Sequence, residues 1–309
     1  MSLLKLKEPV QIVKGLASRI PGMASSPKGG DAPSASYSYD VWMKHLWHLW
    51  KNGLQKMPET VVELGPGQSL GVGLAALLSG ADAYYGLDYA RICNLTGSAN
   101  LLDEMVLLFR GQAGQQIKGW PAYGPEFPHH ILPQPLLDTA LSPGRIQDIA
   151  SAFSNDSPIT IRYIAPWMNR SIDPGSADLV LSSVVMQYLS DPVRAYTTMY
   201  EWLKPGGMMS HEISFTGHQF AREEWNSHWS REEWTWQMIV GNRPGAVSRL
   251  PFSAHVSAIR SVGFEIACAM IETDRGGIAR EDLASRWIGL SDSDLHARSG
   301  FIQARKPSH

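Results

Sequence analysis

The run from Thr60 to Asp88 constrains this chain more than any other feature. TVVELG is a short apolar strand ending in glycine, PGQSLGVGLAALLSG turns and continues with helical character, and ADAYYGLD is a second strand ending in an acid. Strand, glycine loop, helix, strand, acid is the opening of a doubly wound parallel sheet, because parallel neighbours need a long crossover between them. The alternation continues. Further strands are predicted at ITIRYIA from 159, ADLVLSS from 177, MMSHEIS from 208, FEIACAMI from 264 and FIQARK from 301. A helix over 191 to 203 opens at Asp191-Pro192, a cap followed by a first-turn proline, and another ends at Gly263. The expected fold is therefore α/β: a Rossmann-like, mostly parallel seven-strand sheet with helical and loop insertions capping the cleft.

The expected organisation is an N-terminal arm, linker and helix over 1–58, then the main domain over 59–309. Insertions are placed near 89–158 and 214–250. Residues 21–38 are rich in Pro, Gly, Ser and Ala and read as a linker. Asp40 is expected to cap a helix reaching roughly Lys56, with Trp42, Leu46, Leu49 and Trp50 on one apolar stripe. His45 and His48 lie off that stripe and read as surface residues.

Composition removes several function classes. Over 309 residues, 44% are hydrophobic and 18% charged, which excludes full-length disorder. A net charge of -2 forces no basic face, so no nucleic-acid partner is expected. Two cysteines, Cys93 and Cys268, make no disulfide framework and suit a reducing, cytoplasmic setting. No apolar run has transmembrane length. Residues 1–20 carry Lys5, Lys7, Lys14 and Arg19 among apolar positions. They read as a packing or frayed arm, or as a basic helix in peripheral contact with a membrane surface. Pro9 is expected to break any helix there. Oligomeric state is left open.

The loop itself is Glu63-Leu64-Gly65-Pro66-Gly67-Gln68-Ser69-Leu70-Gly71. Gly65 and Gly67 allow a sharp turn and close approach to a ligand, and the following helix points free amides at it. The spacing departs from the dinucleotide G-x-G-x-x-G pattern, and Pro66 stiffens the turn. Asp88, about 20 residues on, suits a pair of ribose hydroxyls. Glu63 either braces the loop or meets a ligand ammonium through water, since a carboxylate only accepts.

Together ELGPG, the later Asp88 and LKPGG before the fifth strand resemble the class I S-adenosylmethionine-dependent methyltransferases, over residues 60–306. A narrower resemblance, in SHEISFTGHQF, EEWNSHWS and NRPGAVSRLPFSAH, is to methyltransferases found among bacterial surface-polysaccharide biosynthesis proteins. Where those tend to have Asp after His-Glu-Ile, this chain has Ser214. The resemblance implies S-adenosylmethionine as cofactor. It places Gly65 and Gly67 against the methionine part, with Gln68 and Ser69 beside them, Asp88 on the ribose and Tyr89 near the adenine. At the usual adenine-binding acid this chain has Ala165-Pro166-Trp167, which implies a carbonyl contact with Trp167 as a stacking wall. Ser182 and Ser183 would line the sulfonium side.

Methyl transfer from a sulfonium needs the acceptor positioned and its proton taken or shared. No Asn-Pro-Pro-aromatic run follows the fourth strand, which argues against nucleobase acceptors, and no carboxylate cluster is there for a metal. His129 and His130 are adjacent rather than on one helix face, so no metal is expected. The base candidates are His218 and His211, with His228 and His255 behind them. His211 and Glu212 alternate along a strand, so only one faces the cleft. Trp225 and Trp229 are candidate walls for a sugar ring, and Arg243 and Arg249 candidate partners for an anionic acceptor. The expected activity is metal-independent methyl transfer to an oxygen of a sugar or glycan precursor. The alternatives are methylation of another small metabolite or a lipid, and a silent cofactor-binding scaffold.

Overall fold

The computed structural model describes residues 4–20, 33–154, 156–221 and 224–308. In chain order the elements are α1 (Leu4–Ala17), α2 (Ala35–Lys51), β1 (Thr60–Leu64), α3 (Gly71–Leu78), β2 (Ala83–Leu87), α4 (Leu95–Ala99), α5 (Leu102–Arg110), α6 (Gln134–Ala140), α7 (Pro143–Ala152), β3 (Thr160–Ile164), β4 (Ala177–Ser183), α8 (Pro192–Trp202), β5 (Leu203–Ser214), α9 (Glu233–Val240), α10 (Phe252–Val262), β6 (Glu265–Thr273), α11 (Asp292–Leu295) and β7 (Ala297–Arg305). The seven strands run β3-β2-β1-β4-β5-β7-β6 across the sheet. β7 is antiparallel to both neighbours and the other pairings are parallel. This is the Rossmann-like, mostly parallel seven-strand fold that the strand pattern predicts.

Strand alternation builds two cores. Val61, Leu179 and Met208 face α2, α3 and α5, while their neighbours Val62, Val180 and Met209 face α8 and α10. Strand order reverses between β1 and β4, which opens a crevice at the carboxyl ends of these strands. The cap of α8 is as expected: Asp191 accepts the Arg194 amide at 3.0 Å. So is the Gly263 stop of α10, at φ 104°.

The N-terminal expectations need three corrections. Pro9 lies inside α1 and the helix runs through it. Ser34, not Asp40, caps α2, accepting the Tyr37 amide at 3.2 Å. His45 and His48 are buried, His45 meeting the Ser210 hydroxyl at 2.6 Å and His48 the Ala122 carbonyl at 3.1 Å. α2 thus packs within the main core rather than outside it, and ends at Lys51. Asp40 is instead a clamp, accepting the amides of Gln116 and Ile117 and the Tyr123 hydroxyl. Of the expected linker, residues 21–32 lie outside the described residues. α1 docks on α9: the Asn242 amide donates to Ser18 at 2.9 Å, and Gly15 lies against the carbonyls of Met238 and Ile239. No described helix is long and apolar enough to cross a membrane.

Candidate functional site

β1 delivers the glycine loop to the crevice. Gly65 has φ 68° and its amide donates to the Leu87 carbonyl at 2.7 Å, tying the loop to the end of β2. A Cβ at Gly65 would lie 2.4 Å from Val185, so only glycine fits. Gly67, at φ 69°, faces open space, with nothing within 4 Å of where a Cβ would stand. Pro66 and Gln68 flank it, both half-buried. The amides at the start of α3 are not free, which corrects the sequence expectation. Ser98 takes the Leu70 amide and Ser69 the Gly71 amide, each at 3.0 Å. Ser69 is therefore a buried brace of the loop.

Glu63 is buried and accepts the Tyr84 hydroxyl. Burial pushes its carboxyl up to about 7, against the pull of that hydrogen bond. Its partner inside the protein is Tyr84 of the neighbouring strand. Asp88 ends β2, its amide donating to the Ile164 carbonyl at 3.0 Å. Its Oδ1 accepts the Tyr89 amide at 2.8 Å, while Oδ2 is buried without a partner. Burial raises the Asp88 carboxyl above its ordinary range, opposed by the amides of Tyr89, Gly67 and Ala90. A buried carboxylate oxygen left unmatched is costly, and a donor arriving in the crevice removes the cost.

Tyr89 is exposed at the mouth of the crevice. Ala165 and Pro166 follow β3, and the Trp167 amide donates to the Asp88 carbonyl at 3.1 Å. The Trp167 ring is half-buried, edge-on to Trp202 at 5.5 Å, and lines with Tyr188 an open cavity of about 610 Å³ between β3 and α8. The loop, Asp88, Tyr89 and Ala165 to Trp167 thus converge on one end of the sheet.

The two serines of β4 part company. Ser182 shares the α8 face with His211, and their side chains meet at 2.8 Å. Both are fully buried, so neither lines the crevice. His211 lies beside Tyr196, which meets His255 at 3.0 Å, and burial lowers the His211 imidazole to about 3. This removes His211 as a base facing an acceptor. Ser183 shares the α2 face with Glu212 and donates to it at 3.1 Å.

His218 is exposed on the loop after β5, at φ 45°, with its ring 6.1 Å from Tyr188. Partial burial holds it below the usual histidine range. Of the tryptophan-rich segment, Trp229 and Trp236 are buried, Trp225 is half-buried and Trp234 is exposed. Trp229 is fully buried and donates to the Arg249 carbonyl at 2.9 Å, with Trp225 beside it at 6.4 Å. Arg249 is 3% exposed, pairs with Glu233, donates to the carbonyls of His228 and Arg231, and stacks on Trp236 and Trp287. Arg243 joins α9 to α1 through Gln11 at 2.8 Å and lies over Phe220. These partners occupy Trp229, Arg243 and Arg249, which corrects the acceptor role expected of those three.

Sequence reasoning passed over Lys44 and Tyr37 and named Glu212 only as the residue alternating with His211. Lys44 donates to Glu212 at 2.5 Å, both side chains being largely buried. With Ser183, Tyr37 and Trp120 they line a cavity of about 160 Å³. One lysine inside the otherwise apolar stretch of α2 was the available signal.

Residues 138–210 match the family described as "Methyltransferase domain", under a quarter of the chain. The match spans α7, β3, β4, α8 and most of β5, all later in the chain than the glycine loop. No curated protein matches the chain in sequence. Among solved structures, phosphoethanolamine N-methyltransferase 2 of Haemonchus contortus, in complex with S-adenosyl-L-methionine, is 16% identical at a TM-score of 0.44. That alignment covers 88% of this chain and 56% of the other, so this chain spans little over half of it. An S-adenosylmethionine-dependent methyltransferase of Mesorhizobium loti is 15% identical, at 84% and 95% coverage and a TM-score of 0.42. Another, of Methanosarcina mazei, is 11% identical, at 84% and 98% coverage and a TM-score of 0.44. Among the described residues, no cluster of His, Cys, Asp or Glu is arranged to hold a metal.

Proposed function

We propose that the chain transfers a methyl group from S-adenosylmethionine to an oxygen of a sugar or glycan precursor. The observation that carries the cofactor is Asp88: a buried carboxylate oxygen without a donor, beside a glycine loop whose Gly67 opens onto free space. A ribose diol supplies the missing donor. Gly65 and Gly67 give close backbone approach, and Tyr89 and Trp167 offer flat faces to an adenine. The cofactor supplies a methyl group already activated on a sulfonium, so the protein's task is to orient the acceptor and accept its proton. The methyltransferase-domain match through β3 to β5 supports the reaction class.

Calorimetry with S-adenosylhomocysteine tests this. Asp88→Ala is expected to weaken binding by about 1.5–3 kcal/mol, the range for a hydrogen bond to a charged group. Unchanged affinity in a folded variant removes Asp88 from the site. Tight binding of a nicotinamide dinucleotide by the unmodified protein overturns the proposal in favour of an oxidoreductase.

A further inference from the structure

We propose that the cavity between α2 and the carboxyl ends of β4 and β5 is the acceptor subsite, that it takes a pyranose with adjacent hydroxyls, and that Glu212 receives the proton of the hydroxyl being methylated. The inference rests on the methyl-transfer reading above.

Three observations place it. First, register: Ser183 and Glu212 are paired across β4 and β5 and share the α2 face, one step from the reversal of strand order. Second, adjacency: Glu63 is paired with Leu181, two residues before Ser183, and Val185, next to the cavity-lining Val184, packs against Gly65. The cavity therefore adjoins the end of β1, where the glycine loop starts. Third, chemistry: Lys44 and Ser183 both donate to Oε2 of Glu212, and among the described residues no hydrogen bond reaches Oε1. A carboxylate that accepts and an ammonium that donates stand side by side, with two hydroxyls next to them. Adjacent hydroxyls of a sugar match that set, one giving its proton to the carboxylate while its neighbour accepts from Lys44. Trp120, whose carbonyl holds Lys44 at 3.4 Å, puts an aromatic wall on the same cavity. An alkyl chain would leave this ion pair without solvent or partner, which disfavours a lipid tail here.

The step balances. The acceptor oxygen bonds to the methyl carbon as the carbon–sulfur bond breaks. The electron pair of that bond stays on sulfur and cancels its charge, and the hydroxyl proton passes to the Glu212 carboxylate. Lys44 touches no reacting atom in this scheme and is a positioning residue.

The test uses the full chain with S-adenosylmethionine and four probes: the methyl pyranosides of glucose, galactose, mannose and rhamnose. Binding is read by saturation-transfer NMR in the presence of S-adenosylhomocysteine, and methylation by mass spectrometry. At least one probe is expected to bind and be methylated. Glu212→Gln should lower kcat on that probe by about 10²–10⁴-fold with S-adenosylhomocysteine affinity unchanged. Lys44→Met should raise KM more than it lowers kcat. Gly119→Phe adds a ring at an exposed lining position where a Cβ meets nothing within 4 Å, and should weaken probe binding. If no probe binds while S-adenosylhomocysteine does, the subsite proposal is overturned and the parent reading stands. Wild-type turnover in Glu212→Gln, or probe binding unchanged in Gly119→Phe, overturns it equally. Failure to bind S-adenosylhomocysteine sinks the parent reading instead.

Discussion

Glu63 and Asp88 close neighbouring strands, and burial acts on both, yet they end up with opposite tasks. Glu63 has a donor in Tyr84 and a carboxyl at about 7. Its folded value lies above the ordinary 4.5, so its contribution to stability is present below pH 4.5 and is lost as pH rises through about 7. Glu63→Gln keeps the acceptor for Tyr84 and removes the titration. Relative to the parent, its urea midpoint should gain as pH rises from 5 to 8; a constant difference would show that Glu63 does not titrate there. His218 offers a second test at this scale. With Glu212 as the proton acceptor, His218→Ala should leave kcat within a few-fold of the parent, whereas a general base would cost about 10²–10⁴-fold. The glycine loop and Asp88 were readable because their chemistry lies in consecutive residues. The choice between His211 and Glu212 was not, because alternation tells that two neighbours face opposite sides and never which side holds the crevice. That parity is set by the helices packed on each face.

α2 shows the same limit at the scale of an element. Its apolar stripe predicted the helix, and Trp42, Leu46 and Leu49 are fully buried as the stripe implies. His45 and His48, off that stripe, were expected in water. They are covered instead by β5 and by the loop that Asp40 clamps, contacts made by residues 70 or more positions away. Periodicity is local and cannot register such cover. The energetic consequence is large. Trp42→Ala is expected to cost about 3–5 kcal/mol, read from urea denaturation, because the Trp42 indole also donates to Ser79 at 2.8 Å. Ser34→Ala, which removes only the cap, should cost about 1 kcal/mol in the same assay.

For the whole molecule, histidines set the response to acid. Burial lowers His48 and His255 to about 4 and His211 and His228 to about 3, and holds His45 well below 6.5. Each binds its proton more readily unfolded than folded, so stability present above pH 6.5 is lost as pH falls toward the folded values. Each contributes a slope of up to about 1.4 kcal/mol per pH unit. Glu63 and Asp88 run the other way but are two groups against five. The melting temperature is therefore expected to fall steeply from pH 6.5 to pH 4; a flat profile would contradict the burial of these rings. Strand order carries a different consequence. β7, the last strand in chain order, lies between β5 and β6. During synthesis β6 emerges with no partner, and β5 keeps one side open, until β7 follows. The sheet is thus finished from its middle by a late arrival. A nascent chain stopped before Ala297 displays two bare strand edges, a natural target for chaperones and a seed for aggregation.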